Sequence, residues 1–155
     1  MKILFLDIDG VLNSRKSYIG MTPIDIESWN MLKKVLEKTD TKIVLSSTWR
    51  KGERDKNEYL VKLEEIGLFD YTHEDWRTIT NLPQISDFIY PSRGDEIQEW
   101  LDRHSEVDNY AIIDDDTDMR ENQIPHFVQT DFDSGMLPIH AEMLIEILTP
   151  CVPTS

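Results

Sequence analysis

Apolar residues along the chain fall into two rhythms. KILFL at 2–6, KIVLS at 42–46 and NYAII at 109–113 are short, nearly unbroken apolar runs, the pattern of strands buried on both faces. HFVQT at 126–130 predicts a fourth strand. Between these runs the spacing becomes helical. Trp29, Leu32, Val35 and Leu36 share a face within 25–38, and Leu60, Leu63 and Ile66 within 56–66. The same spacing returns for Ile97, Trp100 and Leu101 within 94–104, and for Ala141, Leu144, Ile145 and Leu148 within 138–148. Asp25 is placed to cap the first helix, Pro23 lies just before it, and Gly67 stops the second. The stretch 68–92 has no clear period and reads as loops with a short strand at 87–90.

Strands alternating with helices predict an α/β fold, a mainly parallel sheet flanked by helices. Residues 1–149 are read as one domain and 150–155 as a frayed C-terminal tail. In open parallel sheets, ligands bind outside the carboxyl ends of the strands. Here three apolar strands end in Asp7-Ile8-Asp9, Ser46-Ser47 and Asp114-Asp115. Asp is depleted in strands, and a buried carboxylate without a partner is costly. A lone Asp-x-Asp-Gly is more often a turn or a cap. Three polar strand ends at one sheet edge are better explained by a site, with a divalent cation offsetting the charge.

Composition narrows the class. The chain has 155 residues, 39% hydrophobic and 30% charged, enough for one core in a soluble globular domain. No apolar run approaches a membrane span, and the acidic residues arrive too early for a signal peptide. Cys151 is the single cysteine, so no internal disulfide forms and a cytoplasmic location is expected. The formal net charge of −14 argues against general affinity for nucleic acid or anionic membrane. It leaves room for a local basic site around Arg15, Lys16, Arg50, Lys51, Arg54 and Lys56, each shortly after a polar strand end.

The candidate donors are hard oxygens, which suit Mg2+. The four histidines, 73, 104, 126 and 140, are scattered and give no zinc pattern. If the turn at Gly10 brings both carboxylates of Asp7 and Asp9 to the site, one can attack as a nucleophile while the other moves protons.

FLDIDGVLN, IVLSSTWR, RGDEIQEWL and AIIDDDTDM, in that order, resemble the haloacid dehalogenase (HAD) superfamily of phosphohydrolases. The resemblance is nearest to the HAD domains of Swiss-army-knife RNA repair proteins and of polynucleotide kinase-phosphatases, and runs from residue 3 to about 145. It implies a Rossmann-like HAD fold and an aspartyl-phosphate mechanism. Asp7 would be the nucleophile and Asp9 the general acid and base. Ser46 would bond the transferring phosphoryl group. Arg93 would stand where the family usually has Lys, with a two-pronged guanidinium in place of a point charge. Mg2+ would be held by Asp7, by the backbone carbonyl of Asp9 and by Asp115, with Asp114 the competing ligand. Asp118 is a candidate orienter, and Ser47, Trp49 and Arg50 are candidate substrate contacts.

Family members often carry a cap domain over small substrates. Neither the segment between Asp9 and Ser46 nor that between Ser47 and Arg93 holds one. An open site suits a large phosphorylated substrate, a nucleic-acid end or a nucleotide. Trp49, Tyr71 and Trp76 are open to two readings, base stacking and core or rim packing. The alternatives from other classes are a catalytically idle metal-binding or interaction module on the same fold, and a nucleotide-sugar transferase using its Asp-x-Asp. The second fits poorly with a motif that ends the first strand.

Overall fold

A computed structural model describes residues 1–150, so the expected tail from Cys151 onward lies outside the described residues. Five strands form one all-parallel sheet: β1 Lys2–Leu6, β2 Thr41–Leu45, β3 Thr72–Arg77, β4 Asn109–Asp114 and β5 Phe127–Gln129. Their order is β3-β2-β1-β4-β5. The helices are α1 Arg15–Ile19, α2 Ile26–Thr39, α3 Glu58–Glu65, α4 Arg93–Asp102 and α5 Pro138–Leu148. This is the expected α/β architecture, with no cap domain among the described residues.

The two-residue period of the strands separates the core into two layers. Leu4, Leu6, Ile43, Leu45, Ala111 and Ile113 pack with Trp29, Leu32 and Leu36 of α2, Leu60 and Leu63 of α3, and Leu144 and Leu148 of α5. Ile3, Phe5, Val44 and Ile112 pack with Ile97 and Trp100 of α4 on the other side. Trp100 meets Phe5 edge to face at 5.4 Å and donates its indole N–H to the carbonyl of Asp75. α2 begins as the sequence predicts, with the Asp25 carboxylate accepting the Glu27 N–H.

Two expectations at 68–92 change. THEDWR forms strand β3 at the sheet edge. Its side chains lack an apolar alternation because His73 and Asp75 pair with polar groups, Glu106 for the first and Arg103 and His104 for the second. Residues 87–90 are not a strand of the sheet. Ser86 and Ile89 close a tight antiparallel bridge on a surface loop instead.

Candidate active site

The register of the three central strands builds the site. Leu6 is level with Leu45 on β2 and with Ile113 on β4. The ladder then runs one step further, with the Asp7 N–H bonded to Ile113 O at 3.1 Å and the Ser46 N–H to Leu6 O at 3.0 Å. Asp7, Ser46 and Asp114 therefore stand side by side. They continue the side-chain positions of Phe5, Val44 and Ile112, which face α4. α4 begins with Arg93, and Arg93 Nε lies 3.9 Å from Asp114 Oδ2. Thr78 extends the row onto the edge strand, its N–H bonded to Leu45 O. Sequence reading missed Thr78 because it missed β3.

Asp115 closes the group from the loop after β4. Its carboxylate lies against Gly10, which has φ +82°; a Cβ at Gly10 would collide with it. Asp7, Asp114 and Asp115 each offer a carboxylate oxygen, and these atoms lie within 4.8 Å of one another. Both residues that competed for the metal position are thus present. Asp114 has one oxygen on the Asp116 N–H at 3.0 Å. Its other oxygen, Ser46 Oγ, Thr78 Oγ1 and Arg93 Nη1 are buried and have no hydrogen-bond partner. Buried polar atoms are nearly always paired, so orphans of both signs at one strand-end edge fit a site built for a cation and an anion. The hard oxygen set fits a divalent cation such as Mg2+.

Electrostatics agree with that fit. Burial pushes the Asp7 carboxyl well above the usual carboxylate range, and the neighbouring Asp114 adds to it, while Arg93 pulls the other way. Asp114 is likewise raised by burial, opposed by the Asp116 N–H and Arg93. The fold by itself does not neutralise this cluster.

Asp9 faces different partners. Its Oδ1 accepts from Tyr18 OH at 2.6 Å and Asn13 Nδ2 at 2.9 Å. The Trp49 indole N–H reaches Oδ1 at 3.2 Å and Oδ2 at 3.1 Å. Trp49 is buried and packs on Tyr59, centroids 4.8 Å apart. Packing, not base stacking, is therefore its observed arrangement. Tyr71 and Trp76 also pack, against Trp29 and Phe69.

The two arginines differ. Arg50 is buried, and its guanidinium donates to the carbonyls of Thr78, Ser47 and Ile79 and to the Glu96 carboxylate. Arg50, expected as a substrate contact, thus directs its donors to internal acceptors while also lining the cleft beside Arg93. Glu96 bonds Arg50 through Oε2, and its Oε1 lies 3.9 Å from Arg93 Nη1, which has no hydrogen-bond partner. Asp118 orients the start of α4, accepting the Arg93 N–H at 2.9 Å. Ser47 caps the turn after β2 by accepting the Trp49 N–H.

A second cluster, His73, His104 and Glu106, lies near the amino ends of β3 and β4, away from the carboxyl ends that carry the site. It suits a metal poorly. His73 Nδ1 accepts the Asp75 N–H at 2.9 Å, which puts the proton on Nε2, the nitrogen facing Glu106 at 3.2 Å.

Two predictions follow from this geometry. Arg50→Ala should destabilise the protein by about 3–5 kcal/mol, because it strands Glu96 and three carbonyls in the interior. A urea midpoint that barely moves, with weakened substrate binding instead, would return Arg50 to the substrate. The second concerns pH. A carboxyl whose folded pKa is raised stabilises fully below its unfolded value and loses that contribution as pH rises through the folded value. In chelator the melting temperature should therefore fall as pH climbs above about 4, the ordinary carboxylate value. Asp114→Asn should flatten the slope, and saturating Mg2+ should offset it by binding the folded state. A slope unaffected by either would exclude a shared cation at these carboxylates.

The family model described as "HAD domain in Swiss Army Knife RNA repair proteins" matches residues 3–141. No curated protein and no solved structure matches the chain. The match spans every strand of the sheet and the row of polar strand ends together. The chain belongs to the HAD domains of Swiss Army Knife RNA repair proteins, a HAD hydrolase-type family.

Proposed function

We propose that the protein is a Mg2+-dependent phosphomonoesterase working through an aspartyl-phosphate on Asp7, with a nucleic-acid end or nucleotide as the group released. The observation that carries this reading is the strand-end row of Asp7, Ser46 and Asp114 beneath Arg93, with buried polar atoms of opposite character left unpaired. Asp7, Asp114 and Asp115 are the residues to hold Mg2+, aided by the Asp9 backbone carbonyl. When bound there, the ion neutralises the carboxylates and polarises phosphoryl oxygens.

The protein groups then divide the work. A carboxylate oxygen of Asp7 attacks phosphorus, the bond from phosphorus to the leaving oxygen breaks, and Asp9 gives that oxygen its proton. Asp9, now ionised, takes a proton from water. The water oxygen attacks the same phosphorus and the bond to Asp7 breaks, releasing inorganic phosphate and restoring both carboxyls. Ser46 Oγ donates to a phosphoryl oxygen. Arg93 supplies donors and positive charge where negative charge develops.

The substrate class rests on the family description and on the open site. Beside Arg93 a cleft of about 320 Å³ has Thr48, Arg50, Lys51, Thr80, Leu82 and Tyr90 among its lining residues. With no cap to enclose a small molecule, remote contacts to a longer substrate supply the binding energy.

Turnover of para-nitrophenyl phosphate with and without Mg2+ tests the activity. Asp7→Asn, which keeps volume and loses the nucleophile, should lower kcat by about 10⁴-fold or more with the fold intact. Near-wild-type turnover by that variant would rule out the aspartyl-phosphate. For the substrate, kcat/KM should rank an oligonucleotide 3′-phosphate above a mononucleotide and a sugar phosphate. Preference for the sugar phosphate would instead indicate a small-molecule phosphatase.

A further inference from the structure

We infer that Asn13, Tyr18 and Trp49 form a clamp that grips Oδ1 of Asp9 and leaves Oδ2 as the less engaged oxygen, with Tyr18 and Trp49 as positioning residues for that carboxyl. The inference rests on the phosphatase reading above, in which Asp9 is the general acid.

The two Asp9 oxygens are not equivalent. Oδ1 takes a full bond from Tyr18 OH at 2.6 Å and another from Asn13 Nδ2 at 2.9 Å, plus part of the Trp49 indole N–H. Oδ2 takes only the other part of that shared indole bond, at 3.1 Å. A carboxylate oxygen has two lone-pair sites. Those of Oδ1 are filled and one of Oδ2 is open. Oδ2 is therefore the oxygen with room for a further hydrogen bond, and the side on which a leaving group can be met. The arrangement serves both halves of the reaction. With Oδ2 protonated, Oδ1 is a carbonyl oxygen and still accepts; with Oδ2 ionised, the same donors hold it. The carboxyl need not rotate between giving a proton and taking one.

The three members are mounted differently. Trp49 is fixed by the Ser47-capped turn and by Tyr59. Asn13 is fully buried and also holds the motif turn, accepting the Gly10 N–H and donating to the Pro23 carbonyl. Tyr18 projects from α1 and is 45% exposed. Its ring leans on Phe132 at 5.8 Å, and the Arg15 N–H bonds the Phe132 carbonyl at 2.8 Å. The loop after β5 thereby sets the position of Tyr18. The Tyr18 hydroxyl donates to Asp9 and, unlike Asn13 and Trp49, Tyr18 is exposed, which makes it the clean probe.

The test is a leaving-group series. A general acid matters most when the departing oxygen is basic. Wild type, Tyr18→Phe, Trp49→Phe and Asp9→Asn are compared on dinitrophenyl, para-nitrophenyl and phenyl phosphate, with melting temperatures to verify folding. For Tyr18→Phe the kcat loss should grow from about twofold on dinitrophenyl phosphate to about tenfold on phenyl phosphate, with KM little changed; Asp9→Asn should follow the same trend with about 10²–10⁴-fold loss at the basic end. Adding Tyr18→Phe to Asp9→Asn should cost nothing more, since residues acting as a unit are not additive. An equal loss on all three substrates, or an additive double variant, would overturn the clamp while leaving the phosphatase standing. If Asp9→Asn itself shows no leaving-group trend, the general-acid assignment fails and the clamp fails with it.

Discussion

Everything at this site depends on carboxylates that the sheet register forces together. Asp7 and Asp114 extend hydrogen-bonded strands whose pairing is fixed by two buried faces, so neither can shift without moving a whole layer of core. Both are nearly sealed from solvent. Removing such groups from water is expensive, and the nearest guanidinium, at 3.9 Å, is too far for a good ion pair. The fold thus holds a concentration of negative charge whose compensation has to come from bound groups or from protons. A cation between the acids, and an anion under Arg93 and Ser46, is the arrangement that pairs the otherwise orphaned atoms.

The arginine pair shows how the surroundings keep that arrangement open. Glu96 stands one helical turn after Arg93, a spacing that favours an ion pair. Were that pair to close, the guanidinium would be lost to the site. Arg50 competes for Glu96 by taking its Oε2, while Oε1 stays 3.9 Å from Arg93, and spreads its other donors over carbonyls at the ends of β2 and β3. Asp118 meanwhile holds the backbone at the start of α4 and so fixes where Arg93 begins. Gly94 lets α4 come this close, since a Cβ there would fall 2.6 Å from Arg120 N.

The fold class was legible because buried parallel strands and amphipathic helices carry strong periodic signals, and 2–6, 42–46 and 109–113 formed strands where expected. β3 was not legible. Its cross-layer partners are His104, Arg103 and Glu106, and a strand satisfied by polar partners has no hydrophobic alternation to display. The ends of the three central strands could be read as a site from residue type alone, and the structure brings Asp7, Ser46, Arg93, Asp114 and Asp115 to one edge. The roles of the surrounding residues were not readable. Whether a buried arginine faces ligand or carbonyls depends on contacts distant in sequence, such as Arg50 with Ile79 and Glu96. Tyr18 carries no motif signal, and Asn13, though it ends FLDIDGVLN, shows its role only through its contacts with Asp9 and the turn.

Asp7 and Asp9 are two residues apart yet reside in opposite electrostatic settings, and the turn at Gly10 is the reason. Asp7 completes the strand and sits among charges, two carboxylates and an arginine. Asp9 lies in the turn, among an amide, a phenol and an indole, all neutral donors. Under the proposed chemistry the difference assigns the roles. A nucleophile has to be ionised when phosphorus arrives, and only a cation and Arg93 can hold Asp7 so in a buried place. A group that alternates between acid and base must tolerate both forms, and a cationic neighbour would hold it in one of them. Neutral donors fix the position of Asp9 without setting a full positive charge beside it. The same reasoning explains why Trp49 and Tyr18, and not an arginine or lysine, stand against this carboxylate in a segment rich in basic residues.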